Sequence, residues 1–182
     1  DHRARGDRPI VDADGAVVPV GEKGELCTRG YSVMQGYWGD VERTADAVRD
    51  GWMHTGDLAT LDAQGYCNVV GRVKDMIIRG GENVYPAEIE NVLATCPEIA
   101  EVAVVGRPDE RWGEAVVAVV VPANGAHLSR ESVCALLDGR VARYKYPRDV
   151  VFADTLPRTA LGKVKREDLK RLARHESAVG PT

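Results

Sequence analysis

Two adjacent glycines, Gly80 and Gly81, stand between a short apolar run at residues 76–78 and Pro86, and they constrain this chain more than any other feature. A residue without a side chain reaches left-handed backbone closed to others, and it lets another group lie against bare main chain. Pro86 suits the first turn of a helix, where its missing N–H has no intrahelical acceptor to lose. Glu88 and Glu90 follow where the helix dipole favours negative charge. Residues 71–90 therefore predict a charged, hinge-like segment, a short strand, a glycine break and a helix.

Beyond this stretch the pattern is compact α/β. Ile89, Val92, Leu93 and Cys96 recur at i, i+3, i+4 and i+7, one buried helix face that Pro97 ends. Residues 99–106 and 115–121 are nearly continuous β-branched runs, as strands covered on both faces require. Residues 107–114 between them read as a polar loop carrying one large aromatic, Trp112. Ser129 is placed to cap a helix, with Leu128 and Val133 as its hydrophobic staple and Leu136 and Leu137 continuing the face. A strand is expected at residues 150–152. The basic run Lys165, Arg166, Lys170, Arg171 and Arg174 reads as the solvated face of a last helix, with Leu169 and Leu172 turned inward and a frayed tail at residues 176–182.

Ahead of the glycine pair the chain is β-rich. Residues 11–20 predict a hairpin around Asp14-Gly15, residues 24–30 a strand, and residues 34–38 a glycine-bearing bend. Val41, Ala45 and Val48 have helical spacing closed by Asp50-Gly51, and residues 66–70 form a strand that delivers Arg72. Thr55-Gly56-Asp57 reads as a turn whose carboxylate can accept two hydrogen bonds from a vicinal diol. The fold class is α+β, with a β-rich part at residues 1–73 and, at residues 74–182, a compact α/β domain of a short hairpin and a small sheet flanked by helices.

The totals exclude several functions. A net charge of -4 and a pI near 5.6 give no global attraction to nucleic acid or to an anionic membrane. A nucleic-acid or phosphate-binding module built on the basic C-terminal helix is a distant alternative, lacking interleaved aromatics. The longest apolar run stops at Pro122, far short of the ~20 residues that span a bilayer. Four cysteines lie apart without a Cys-x-x-Cys pair or a neighbouring histidine cluster, which argues against a zinc site or disulfide framework and fits a reducing, cytoplasmic setting. Arg5-Gly6-Asp7 is a triplet of the kind chance supplies.

The blocks around residues 24–38, Thr55-Gly56-Asp57, residues 71–90, residues 144–148 and residues 156–166 occur in the order seen in the adenylate-forming superfamily, which the chain resembles. Acyl-CoA synthetases, adenylation domains and luciferases make up that superfamily. The resemblance implies the end of a large N-terminal domain followed by a small mobile C-terminal domain. It implies a ligase that uses ATP and Mg2+ to adenylate a carboxylate and then passes the acyl group to CoA. Asp57 would hold the ribose hydroxyls, Arg72 the ribose or phosphate, Lys74 the hinge, and Lys163 the adenylation charge. Gly80, Gly81, Glu82 and Asn83 would line the pantetheine arm, with Trp112 near the thiol and Tyr144, Lys145 and Arg148 at the phosphates of CoA. The small domain would turn about the hinge between the two half-reactions. No metal ligand is expected here: the phosphate loop, acyl pocket and Mg2+ ligand of the family belong to the large domain, and none of their motifs occurs in these residues. The scaffold is most like the medium- to long-chain fatty acyl branch; a ligase that loads a carrier protein, or stops at acyl-AMP, is the alternative.

Overall fold

The computed structural model describes residues 9–175; the Arg5-Gly6-Asp7 triplet and the tail from Glu176 lie outside the described residues. The chain divides into two compact units, Asp1–Lys74 and Asp75–Thr182.

The first unit is a five-stranded antiparallel sheet in the order β1-β2-β4-β3, with β5 also on β4. Its strands are β1 (Ile10–Val11), β2 (Gly24–Thr28), β3 (Val48–Arg49), β4 (Trp52–Leu61) and β5 (Cys67–Arg72). The Asp14-Gly15 turn forms as expected, with the Asp12 carboxylate accepting from the N–H groups of Asp14 and Ala16, each at 2.9 Å. The hairpin is minimal: one bridge, Val11 to Val17, closes it. Helix α1 (Val41–Ala47) starts on Asp40, whose side chain accepts from the Arg43 N–H, but buries no residue. Val48 leaves the helix to begin β3, and Asp50-Gly51, with φ of 51° and 79°, turns the chain directly into β4. Two successive left-handed residues match the twist of a two-residue hairpin.

The second unit is a five-stranded mixed sheet in the order β10-β9-β6-β7, with β8 on β9. It comprises β6 (Ile77–Arg79), β7 (Glu82–Val84), β8 (Ile99–Asp109), β9 (Gly113–Pro122) and β10 (Asp149–Phe152), the last parallel to β9. Period-two alternation along β9 divides the core. Val116, Ala118 and Val120 face α2 (Pro86–Leu93) and α3 (Arg130–Ala135), meeting Ile89, Leu93, Val133 and Leu137. Val117 and Val119 face α4 (Arg166–His175), meeting Leu169 and Ala173. Both faces of β9 are thus dry, and each fully buried valine contributes up to about 1.5–3 kcal/mol of apolar burial. Ser129 caps α3 in a reciprocal box with Ser132.

Several expectations change. The glycine pair is a two-residue hairpin turn, Arg79 facing Glu82 across it, with φ of 61° and 85°; β7 therefore intervenes before the helix. Pro86 opens α2 as expected, but α2 ends at Leu93, three residues before the expected Cys96, because Thr95 Oγ donates to the Val92 carbonyl at 2.7 Å and tightens the turn. Pairing of β8 with β9 continues to Asp109 opposite Gly113, leaving a loop of only residues 110–112. Leu172 is 42% exposed, and Ala173, four residues after Leu169, takes the buried place instead. Arg166 is not on the solvated face: it bridges Asp75 and Glu90.

Candidate functional site

Asp57 is carried by an irregular stretch of β4 rather than by a turn. Glu25 faces Leu58 and Cys27 faces His54, so β4 holds two residues more than β2 across this interval, and Gly56, at φ 72°, absorbs them. Hydrogen bonds from three side chains hold this stretch. Thr55 Oγ donates to the Leu26 carbonyl at 2.7 Å and accepts from the Asp57 N–H at 3.1 Å. One oxygen of Glu25 accepts from the Gly56 N–H at 2.9 Å, while the other lies 2.8 Å from His54 Nδ1. The bulge aims Asp57 straight across the ladder at Arg72, where Oδ1 meets Nε at 3.0 Å. Asp57 and Arg72 are therefore brought together. Glu25 and His54, which hold the bulge, went unsuspected; a carboxylate and an imidazole on neighbouring strands leave no local pattern. Lys74 is exposed in a 3₁₀ turn, Val73–Asp75, and is the last residue of the first unit.

In the second unit, the glycine turn and Trp112 are in contact. The Gly80 N–H donates to the Trp112 carbonyl at 2.7 Å, and a Cβ on Gly80 would come within 2.8 Å of the indole ring. Arg111 and Arg79 lie over that ring, 5.0 and 5.9 Å from its centroid. Asp109 organises the loop by accepting from the N–H groups of Arg111 and Trp112, and it pairs with Arg148. Partial burial opposes its charge, but those N–H groups, with Arg148 and Arg107 nearby, hold the carboxyl below its ordinary pKa. Arg79 donates to the Tyr144 carbonyl, which draws the Tyr144–Lys145 segment to the same region. Lys145 itself turns to Glu88 at 2.6 Å, with 12% of its side chain exposed. Arg79, Arg107, Arg111, Arg148 and Arg174 border one open groove with Trp112. Glu82 and Asn83 are exposed on β7 beside the turn.

Lys163 sits on a different loop, exposed and firmly built. The Thr159 N–H donates to the Lys163 carbonyl at 2.7 Å, and Gly162, at φ 80°, donates back to the Thr159 carbonyl at 2.9 Å. Arg158 braces the loop through the Gly162 carbonyl at 2.8 Å and anchors it to Glu101 on β8.

Residues 88–163 match the family model described as the AMP-binding enzyme C-terminal domain. Indoleacetate--CoA ligase of Aromatoleum aromaticum is 55% identical over 173 residues, which is 95% of this chain and 34% of that relative. The solved structure of ATP-bound MatB from Rhodopseudomonas palustris superposes with a TM-score of 0.87 at 39% identity, covering 93% of this chain and 34% of that one. Residues 88–163 belong to the AMP-binding enzyme C-terminal domain family. Amide bond synthetase McbA from Marinactinospora thermotolerans is also similar, with a TM-score of 0.85 and 38% identity over 92% of this chain and 34% of that one. The chain thus spans about a third of the length of the relatives it matches.

Within the AMP-binding C-terminal domain, the matched segment runs from Glu88, the partner of Lys145, to Lys163. It takes in Trp112, Tyr144, Lys145 and Arg148, and the glycine turn lies just ahead of it. The domain keeps its two features apart. Glu101, which anchors the Lys163 loop, and Asp109, which anchors the Trp112 loop, are both on β8. Eight residues of strand at about 3.3 Å each separate them by about 26 Å.

Proposed function

We propose that this chain is the C-terminal part of an ATP-dependent, AMP-forming acyl-CoA synthetase that works in the cytoplasm on a small-molecule carboxylate. In the first half-reaction a carboxylate oxygen attacks the α-phosphorus of ATP and the bond to pyrophosphate breaks. In the second, the CoA thiol, having lost its proton, attacks the acyl carbon, and the bond to AMP breaks. The observation that carries this reading is the placement of Lys163 and of the Gly80–Trp112 contact at opposite ends of β8. On this reading a cation for the first step and a stretch of bare main chain for the second belong to one unit, for use in turn.

Each residue then has a defined task. Asp57 offers its carboxylate to the vicinal ribose hydroxyls, and Arg72 fixes that carboxylate while presenting its own charge to the nucleotide. Lys163 neutralises charge that develops at the α-phosphate, a contribution of roughly 3–4 kcal/mol for a well-placed donor. Gly80 and Gly81 expose main chain to the pantetheine arm, with Glu82 and Asn83 beside it and Trp112 toward the thiol. Arg148, with Arg79 and Arg111, supplies charge for the phosphates of CoA, and Tyr144 lies on the same side. Lys145 contributes through its pairing with Glu88, which holds the segment leading to Arg148. Lys74 is the hinge about which the two units alternate.

Magnesium fits none of these residues. Among the described residues the metal-ligand cluster is Glu25, Cys27 and His54, and a thiol and an imidazole do not suit an ion that takes oxygen ligands.

A second reading is supported by the likeness to amide bond synthetase McbA: the acyl-AMP would be passed to an acceptor other than CoA, a carrier protein or an amine. The test uses the full-length gene product with aryl, arylacetic and medium-chain fatty acids, ATP and Mg2+, with and without CoA, following AMP and thioester. Thioester that forms only with CoA supports the first reading, and adenylate without thioester supports the second.

A further inference from the structure

Glu25, Cys27 and His54 play no part in the proposed chemistry, yet they bring three different metal-ligand types together from two neighbouring strands. Their ligand atoms all lie within 4.8 Å of one another. Cys27 Sγ is 3.5 Å from His54 Nδ1, and Glu25 Oε2 is 2.8 Å from the same nitrogen. A tetrahedral zinc with Zn–S of about 2.3 Å and Zn–N of about 2.05 Å sets sulfur and nitrogen roughly 3.6 Å apart. The Cys27–His54 pair therefore already spans one edge of that tetrahedron. The nitrogen-to-oxygen edge should be about 3.4 Å, so the Glu25 carboxylate has to draw back by roughly 0.6 Å. Its side chain and that of His54 are 21% and 17% exposed, which leaves a solvent side for a fourth ligand.

We propose that Glu25, Cys27 and His54 form a binding site for one zinc-class divalent cation. Thiolate and carboxylate together balance the charge of the ion, and the mixed sulfur, nitrogen and oxygen set selects zinc, cobalt or cadmium over calcium and magnesium. On binding, the Cys27 thiol gives up its proton to solvent, and the proton that His54 Nδ1 donates to Glu25 is exchanged through solvent for one on Nε2, so that the Nδ1 lone pair faces the ion. One proton is released per ion bound.

Burial, and then the charge of Glu25, push the Cys27 thiol up to about 11, while the charge of Arg49 pulls the other way.

The test uses reduced, chelator-treated full-length protein. Cobalt is titrated while the near-ultraviolet thiolate-to-metal absorption is followed, and zinc affinity is measured by competition with a chromogenic chelator. The wild type is expected to saturate at one ion per chain with a thiolate band. Cys27→Ser abolishes the band, and both Cys27→Ser and His54→Gln weaken zinc binding by at least about tenfold, the lower end of what loss of even an outer-sphere partner costs. Should Cys27→Ser not fold, as judged by its melting curve, His54→Gln carries the affinity comparison alone. A wild type without a saturable thiolate band, a band that survives in Cys27→Ser, or unchanged zinc affinity in His54→Gln would overturn the proposal. These readouts are independent of ligase activity.

Discussion

Replacing Gly80 by alanine separates two costs that its neighbour Gly81 does not share. Both glycines have positive φ, 61° and 85°, so a Cβ at either strains the backbone by roughly 1–2 kcal/mol. At Gly81 nothing lies within 4 Å of the new atom, and the cost stops there. At Gly80 the Cβ would stand 2.8 and 3.2 Å from two atoms of the Trp112 ring, the first closer than real contacts come and the second tighter than most. The ring must move from its place beside Arg79 and Arg111, adding about 1–3 kcal/mol, as overpacking usually does. Gly80→Ala should therefore cost roughly 2–5 kcal/mol and Gly81→Ala roughly 1–2. The assay is a double-mutant cycle with Trp112→Ala in the full-length protein, read by thermal melting and by hydrogen exchange at the Gly80 N–H. Removing the ring should recover the excess of about 1–3 kcal/mol at Gly80 and nothing at Gly81. On the proposed function, Gly80→Ala also slows thioester formation from preformed acyl-AMP and spares adenylation. Equal costs at the two glycines, or an excess at Gly80 that persists without Trp112, would refute the reasoning.

Lys163→Ala should lower pyrophosphate release by about 10²–10³, the usual loss for one transition-state donor, while leaving thioester formation from added acyl-AMP intact. Arg166→Ala strands Asp75 and Glu90, all three being partly buried, and should cost about 1–3 kcal/mol in melting experiments, with Arg166→Lys intermediate. Burial opposes the charge on Lys145, but the hydrogen bond and charge of Glu88, with Tyr144 adding, outweigh it and raise the pKa. The stabilisation this pair gives is complete below the ordinary lysine value and is lost as pH rises through the raised one. A melting profile against pH should therefore show an alkaline loss in the wild type that is absent in Lys145→Met. Asp57→Asn should raise the KM for ATP by about ten- to a hundredfold, since a charged hydrogen bond is worth about 1.5–3 kcal/mol, with a smaller effect on kcat.

The parts of the fold legible in the sequence are those written in local chemistry. The valine runs of β8 and β9, Pro86 at the head of α2, the Ser129 cap and the Asp50-Gly51 turn each carry their cause within a few residues. The glycine pair is visible as a special point and a short hairpin is expected in this domain, but the sequence does not place that hairpin at the pair, because β7 is only Glu82–Val84 and two of its three residues are polar and exposed. Thr55-Gly56-Asp57 has turn composition, yet β2 and β5 pair on either side of it and absorb the glycine as a bulge. Leu172 outranks Ala173 in hydrophobicity, but the small residue fits closest to the sheet, and its carbonyl accepts from Arg107 at 3.3 Å. Pairings between distant residues had no signal at all. Lys145 reads as a surface cation until the fold brings Glu88 to it from 57 positions away.

The length of β8 bears on why an enzyme of the proposed kind would need a hinge. A small substrate's reacting atoms occupy a few ångströms, whereas the Lys163 loop and the Trp112 loop are anchored about 26 Å apart on a strand whose partner β9 is packed on both faces. Bending that hairpin to bring both ends to one point would open a core with no slack in it. The alternative is to move the whole unit, whose parts are tied to one another by ion pairs. Arg166, three residues beyond Lys163, meets Asp75 at 3.2 Å and Glu90 at 3.0 Å and donates to the Val104 carbonyl at 2.7 Å. The lysine loop, α4, α2 and the first residue of the second unit are thereby joined through one guanidinium. On the proposed function, rotation would fall on the residues before Asp75, where Lys74 is exposed and has no such clamp among the bonds and ion pairs of the described residues.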